Sequence, residues 1–235
     1  MVTILNRMLR REIMNIKTMF FWMFAILMFS GCATREHMDY TAFKNADPHS
    51  ILVAMPSSVS NDVNSGPAVL ASVSLPLSEA GYYVIPVTLA NETFKYNGVS
   101  DASEIRNIPR EKIKEVFGVD AIMYLTINEY QTHYTLLDSY FQVSVTAELV
   151  NVSDGTVLWK ETSIMNNKSG SSGNIFADLI AALFKHAINE AAELGYNVSV
   201  NNSYMMFTPD NPYIYDPILS GPYSPKYRKD KILNK

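Results

Sequence analysis

Between residues 141 and 149 the chain alternates without a break. Phe141, Val143, Val145, Ala147 and Leu149 are apolar, and Gln142, Ser144, Thr146 and Glu148 between them are polar. A period of two places the apolar set on one face, which predicts a half-buried strand. Ser153-Asp154-Gly155 reads as a turn, and Thr156-Val157-Leu158-Trp159 as the returning arm of a hairpin. Three runs upstream, at 51–55, 82–87 and 119–127, are apolar without alternation and read as buried strands. Pro56 ends the first, and Pro86 marks the second as an edge or a bulge.

Helical spacing fills the gaps. Val69, Leu70, Val73 and Leu77 predict a helix from Pro67, constrained by Pro76 and ended by Gly81. A short helix over 89–98 ends at Gly98. Asp101 and Glu104 have capping-box spacing, and Pro109 opens a helix that runs through Phe117 to a glycine. After a Lys168–Gly173 loop, Asn174 caps the longest helix. Ile175, Leu179, Leu183, Ala187 and Ala191 form its stripe, Phe176, Ile180, Phe184 and Ile188 widen it, and Gly195 is expected to stop it. The order β-α-β-α-α-β-β-β-α implies early parallel strands with helical crossovers, then antiparallel strands. The expectation is an α/β fold, a single mixed-sheet sandwich over 50–196. A polar tether (32–49) precedes it and a Tyr/Pro/Asn-rich extension (197–235) follows. The extension has no period, but its tyrosines favour wrapping on the domain.

The apolar run Met19–Phe29 is different in kind. Its 11 residues reach roughly 17 Å as a helix, about half of a bilayer core, so it is too short to span alone. Arg7, Arg10, Arg11 and Lys17 lie before it, and Ser30-Gly31-Cys32 follow, which is the layout of a secretory signal over residues 1–31. Phe29-Ser30-Gly31-Cys32 resembles the bacterial lipobox, with Phe29 where leucine is usual. The resemblance implies peptidase recognition through Phe29, Ser30 and Gly31, cleavage before Cys32, and acylation of the Cys32 thiol and the new amino terminus. Met14 is an alternative start that leaves a compact signal. Ala33 after the cysteine, by resemblance to enteric lipoproteins, implies sorting to the outer membrane, with the domain facing the periplasm or the cell surface.

Net charge sharpens this. The first 32 residues hold four bases and one acid, leaving 15 basic and 22 acidic residues and hence about −7 for residues 33–235. Such a chain has no electrostatic footprint for nucleic acid. A lone cysteine excludes an internal disulfide.

Leu149–Trp159 (LVNVSDGTVLW) resembles the hairpin of envelope lipoproteins with the TolB amino-terminal-like fold, among them the curli-secretion lipoprotein and activators of peptidoglycan synthases. Asn151 stands where that pattern often has Asp. Segments 76–87 (PLSEAGYYVIPV), 92–98 (ETFKYNG), 117–130 (FGVDAIMYLTINEY) and 221–227 (GPYSPKY) resemble a family of bacterial lipoproteins of unknown function, first noticed as a neisserial antigen. The resemblance implies that fold and a periplasmic address, and brings no catalytic activity.

Candidate chemistry in the mature chain is sparse. His37 and His49 sit in the tether, and His186 is on the long helix. Glu129 and His133 have metal-like spacing, but they follow a strand and lack a second histidine. No nucleophile elbow, dinucleotide fingerprint or phosphate loop is present, so neither a catalytic residue nor a cofactor is assigned. Asp120 reads as a turn carboxylate, and Phe141 and Trp159 as core. The functional expectation is a non-enzymatic scaffold or accessory subunit of an envelope assembly. Its partners would be the bilayer through acylated Cys32, envelope proteins, and a second copy of the chain if it oligomerises. A subunit of a curli-secretion-like export channel and a small-molecule-binding periplasmic protein are the alternatives.

Overall fold

The alternating segment becomes the middle of the longest antiparallel pairing in a six-stranded mixed sheet. The structure, a computed structural model, describes residues 36–134, 139–168 and 191–234, and Met38–Lys235 form one unit. Its elements are α1 (Thr41–Ala46), β1 (Ser50–Val53), β2 (Ser57–Ser58), α2 (Ser65–Glu79), β3 (Tyr83–Val84), α3 (Val87–Tyr96), α4 (Ala102–Ile105), α5 (Arg110–Phe117), β4 (Ala121–Tyr134), β5 (Ser139–Asn151), β6 (Val157–Asn166) and α6, described over Ala191–Phe207. The strands run β3-β1-β4-β5-β6, with β2 also beside β4. β1 is parallel to both β3 and β4, while β4, β5 and β6 are successively antiparallel. The fold is thus mixed α/β.

Period-two alternation divides the sheet between two cores. Ile51, Val53, Ala121, Met123, Leu125, Ile127 and the odd-numbered apolar residues of β5 pack with α2 and α6. Leu52, Ala54, Ile122 and Tyr124 face the other way, onto Ala90, Phe94, Ile105 and Ile113 of α3, α4 and α5. β4 extends seven residues beyond the expected 127. A bulge between Ile127 and Glu129 inserts Asn128 and shifts the phase. Ile127 and Tyr130 therefore lie on the same face, where strict alternation would have put Tyr130 on the other. Tyr130 stacks edge-on against Phe141 at 4.9 Å. Two helix ends follow the expected chemistry: Asp101 accepts the Ser103 N–H (2.7 Å), and Gly118 closes α5 in the left-handed conformation.

Three expectations are corrected. The tether expected over 32–49 folds from Met38 onward: α1 buries Phe43, and Tyr40 before it is 5% exposed. Gly195 does not stop the last helix, because α6 runs through it to Phe207. The segment after 196 is therefore no appendage. Val198, Met206, Phe207, Ile218 and Leu219 all belong to the larger core. The expected helix start at Asn174, its apolar positions before 191 and His186 lie outside the described residues.

Gly195 is there for close approach rather than termination. A Cβ at this position would fall inside contact distance of the Tyr130 hydroxyl and 2.7 Å from its Cζ. Gly195→Ala improves intrinsic helix propensity by about 1 kcal/mol. Overpacking a filled core costs about 1–3 kcal/mol, so a net loss is expected. Urea unfolding of the two chains checks this, and a more stable alanine variant would contradict it.

Candidate functional site

The two ends of the domain meet at one pole of the sheet. The Met38 N–H donates to the Asp216 carboxylate (3.2 Å), and the Tyr40 hydroxyl donates to the Pro217 carbonyl (2.7 Å). Asp216 is the hub: its carbonyl accepts the Trp159 indole N–H (2.8 Å), and its own N–H donates to Glu161 (3.2 Å). Tyr82 donates to the Leu219 carbonyl (2.6 Å), and burial pushes its phenol well above the usual range. Gly81, at φ +98°, lets residues 221–224 lie on the end of α2. A Cβ there would meet the Ser224 nitrogen at 2.5 Å. The Asp47 carboxylate takes the Tyr227 hydroxyl (2.6 Å) and the Arg228 guanidinium (2.9 Å). Asp230 is fully buried on the Ser220 N–H and hydroxyl, and burial raises its pKa. Residues 208–230 are thus a strap held by side-chain-to-backbone bonds across the start of the domain. The acylation candidate Cys32, with Phe29, Ser30, Gly31 and Ala33, lies outside the described residues.

At the opposite pole, the outer halves of β4 and β5 carry a polar network. Glu129 accepts the side-chain amides of Gln131 (2.9 Å) and Gln142 (2.6 Å) and contacts His133. The two amide bonds chiefly hold its carboxyl below the usual range. His133 stacks on Tyr140 (4.9 Å). With its oxygens already committed, Glu129 is a hydrogen-bonded strut rather than a poised base. Beside it, a cleft of about 630 Å³ opens between residues 59–64 and the outer half of β4. Its walls carry amides, hydroxyls and the carboxylates of Asp62 and Glu129, together with the apolar side chains of Val59 and Phe141. Tyr130 lines it too, with a buried hydroxyl that lacks a hydrogen-bond partner among the described residues and is pushed up to about 12 by burial. On the sheet face that carries Glu129 and Gln142, Asn128, Thr146 and Thr162 form a hydrogen-bonded row that no described helix covers.

The remaining candidates have structural roles. Asp120 accepts the N–H groups of His49 and Ser50 and the Ser50 hydroxyl at 2.8–3.0 Å, pinning the start of β1. Trp159 is fully buried and Phe141 is 6% exposed, as expected of core. His49 packs edge-on against Tyr223 (6.1 Å). The sequence reading missed Asp216, Glu161 and Asn202. Asn202 reaches from α6 to the Val143 carbonyl in mid-sheet (2.9 Å). For Asn202 the available signal was the row of polar residues along the segment after Gly195.

These features define a mixed α/β domain whose two ends are bound together at one pole and whose open polar sheet lies at the other. The chain belongs to the family described as "Putative lipoprotein GNA1162-like", whose model matches residues 38–223. It is 40% identical over 201 residues to "Putative lipoprotein NMB1124/NMB1162" of Neisseria meningitidis serogroup B, covering 84% of this chain and 92% of that protein. The crystal structure of lipoprotein GNA1162 from Neisseria meningitidis is similar, with 41% identity and a TM-score of 0.51 over 59% of this chain and 96% of that one. A PelC dodecamer from Paraburkholderia phytofirmans has 10% identity and a TM-score of 0.39, over 73% and 93% of the two chains. Among the described residues no helix is long and apolar enough to cross a membrane.

Proposed function

We propose that this protein is an outer-membrane lipoprotein, anchored through acylated Cys32 and facing the periplasm. It acts as a non-enzymatic scaffold or accessory subunit of an export or cell-wall assembly. The observation that carries the reading is the start of the domain. The fold begins at Met38, tied to Asp216, only six residues after the cysteine. A chain rises at most about 3.6 Å per residue, so the anchor holds this pole within roughly 20 Å of the lipid. Two acyl signals suffice for stable attachment. The open polar sheet face is then the surface offered to envelope partners.

Cys32→Ser is expected to abolish both membrane retention and palmitate labelling. Label entering that chain would remove the anchor from the account. A photo-crosslinking residue at Thr162 or Gln131 should give discrete protein adducts in envelope fractions. Adducts at neither position would overturn the scaffold.

A channel subunit is favoured by one feature. β4 and β5 span 14 and 13 residues, longer than the roughly 9–11 a bilayer-crossing strand needs. Against it, the apolar face of that hairpin is already buried under α2 and α6. SDS-resistant rings would support the channel.

A further inference from the structure

The last residues of the strap, with Lys231 just past it, are unlike the rest of the chain. Residues 33–235 carry about −7, yet Lys226, Arg228, Lys229 and Lys231 crowd into six positions, and all four are exposed. Of the acids nearby, Asp47 pairs with one of these cations, while the others accept from neutral donors and keep whatever charge they carry. Asp47 takes Tyr227 and Arg228, Asp210 accepts the Lys231 N–H (2.7 Å), and Asp230 is buried on Ser220. Asp39, at the entrance to the domain, accepts from Thr41. Lys226, Lys229 and Lys231 are left as a cationic surface, extended by Lys44 at the end of α1. Tyr223, 68% exposed, stands beside them, and an aromatic ring with a polar tip is suited to a lipid interface.

The position of this surface decides its partner. Tyr227 and Arg228 grip Asp47, and the strap grips Met38, so the basic segment lies at the pole where the chain leaves for Cys32. We infer that the Lys226–Lys231 face docks on anionic phospholipid headgroups of the membrane that holds the acyl anchor. Docking fixes the orientation of the domain. β4 starts at this pole, next to Asp120, and its 14 residues rise roughly 3.3 Å each, so the Tyr134 end of the hairpin stands about 40 Å further from the lipid. The polar sheet face and the cleft beside it are thereby presented outward. The inference rests on the anchor reading above for its biological setting.

The test separates the two. A chain from Cys32 onward contains the whole folded unit and one thiol, which couples chemically to a maleimide lipid without any cellular acylation. Hydrogen exchange is compared on vesicles of phosphatidylcholine alone and with a minority of phosphatidylglycerol. Amides of 223–231 are expected to exchange more slowly only on the anionic vesicles, with protection lost at high salt, while 128–134 exchange equally on both. Each basic residue near such a surface is worth roughly a factor of five in binding, so K226Q/K229Q/K231Q should weaken docking about a hundredfold. K95Q/K112Q/K114Q, with the same change of charge on α3 and α5, should leave the protection in place. Equal exchange on both vesicle types overturns the inference, as does protection that survives the first triple substitution. Failure of palmitate to label Cys32 in cells would remove the anchor but leave this result standing.

Discussion

A chain ending at Tyr196 is expected to be insoluble or unfolded, not a trimmed domain. The cut falls inside α6 and removes Val198, Met206, Phe207, Ile218 and Leu219 from the core. Each large buried side chain contributes about 1.5–3 kcal/mol. Five of them together match the roughly 5–15 kcal/mol that stabilises a whole domain. The cut also strips the partners of Trp159, Tyr40 and Tyr82, leaving buried donors unpaired. Circular dichroism with thermal unfolding checks this. A cooperative transition in the truncated chain would show that residues 197–235 are an arm after all.

Trp159→Ala is expected to be the most damaging single substitution in the sheet. The indole is fully buried, lies 6.0 Å from Phe207, and donates to the Asp216 carbonyl. Truncating a buried tryptophan costs about 3–5 kcal/mol, and the orphaned carbonyl adds to that. The damage should spread along the strap, because Asp216 also holds Met38 and Glu161. Urea unfolding followed by circular dichroism gives the loss. Trp159→Phe fills most of the volume and isolates the hydrogen bond, so it should cost distinctly less. Equal losses for the two substitutions would mean that packing plays no part.

The legible parts of the fold are those where one period holds. β5 alternates throughout, and α2 keeps its apolar stripe past Pro76, so both are where the pattern puts them. The apolar run that marks β4 in the chain ends at Ile127, and the bulge at Asn128 carries the strand on through a polar stretch that no run of apolar residues signals. Glycine commonly ends a helix, and nothing local in the chain signals that Gly195 instead admits the Tyr130 ring. α1 has six residues, too few for helical periodicity to show. The strap has no period at all. It is held by carbonyls and carboxylates, each answering one distant tyrosine, tryptophan or backbone N–H. The proposed anchor motif is local, four consecutive residues, and rests on the chain alone. The Glu129 network needs Gln142, 13 residues away across the hairpin register, and only the pairing of β4 with β5 brings them together.

The most direct test of the account is the mass of the amino-terminal peptide of the mature protein, purified from membranes. The expected peptide begins at Cys32 and carries diacylglycerol on the thiol and a third acyl chain on the amino group. An amino terminus elsewhere, or Cys32 recovered as a free thiol, would contradict it.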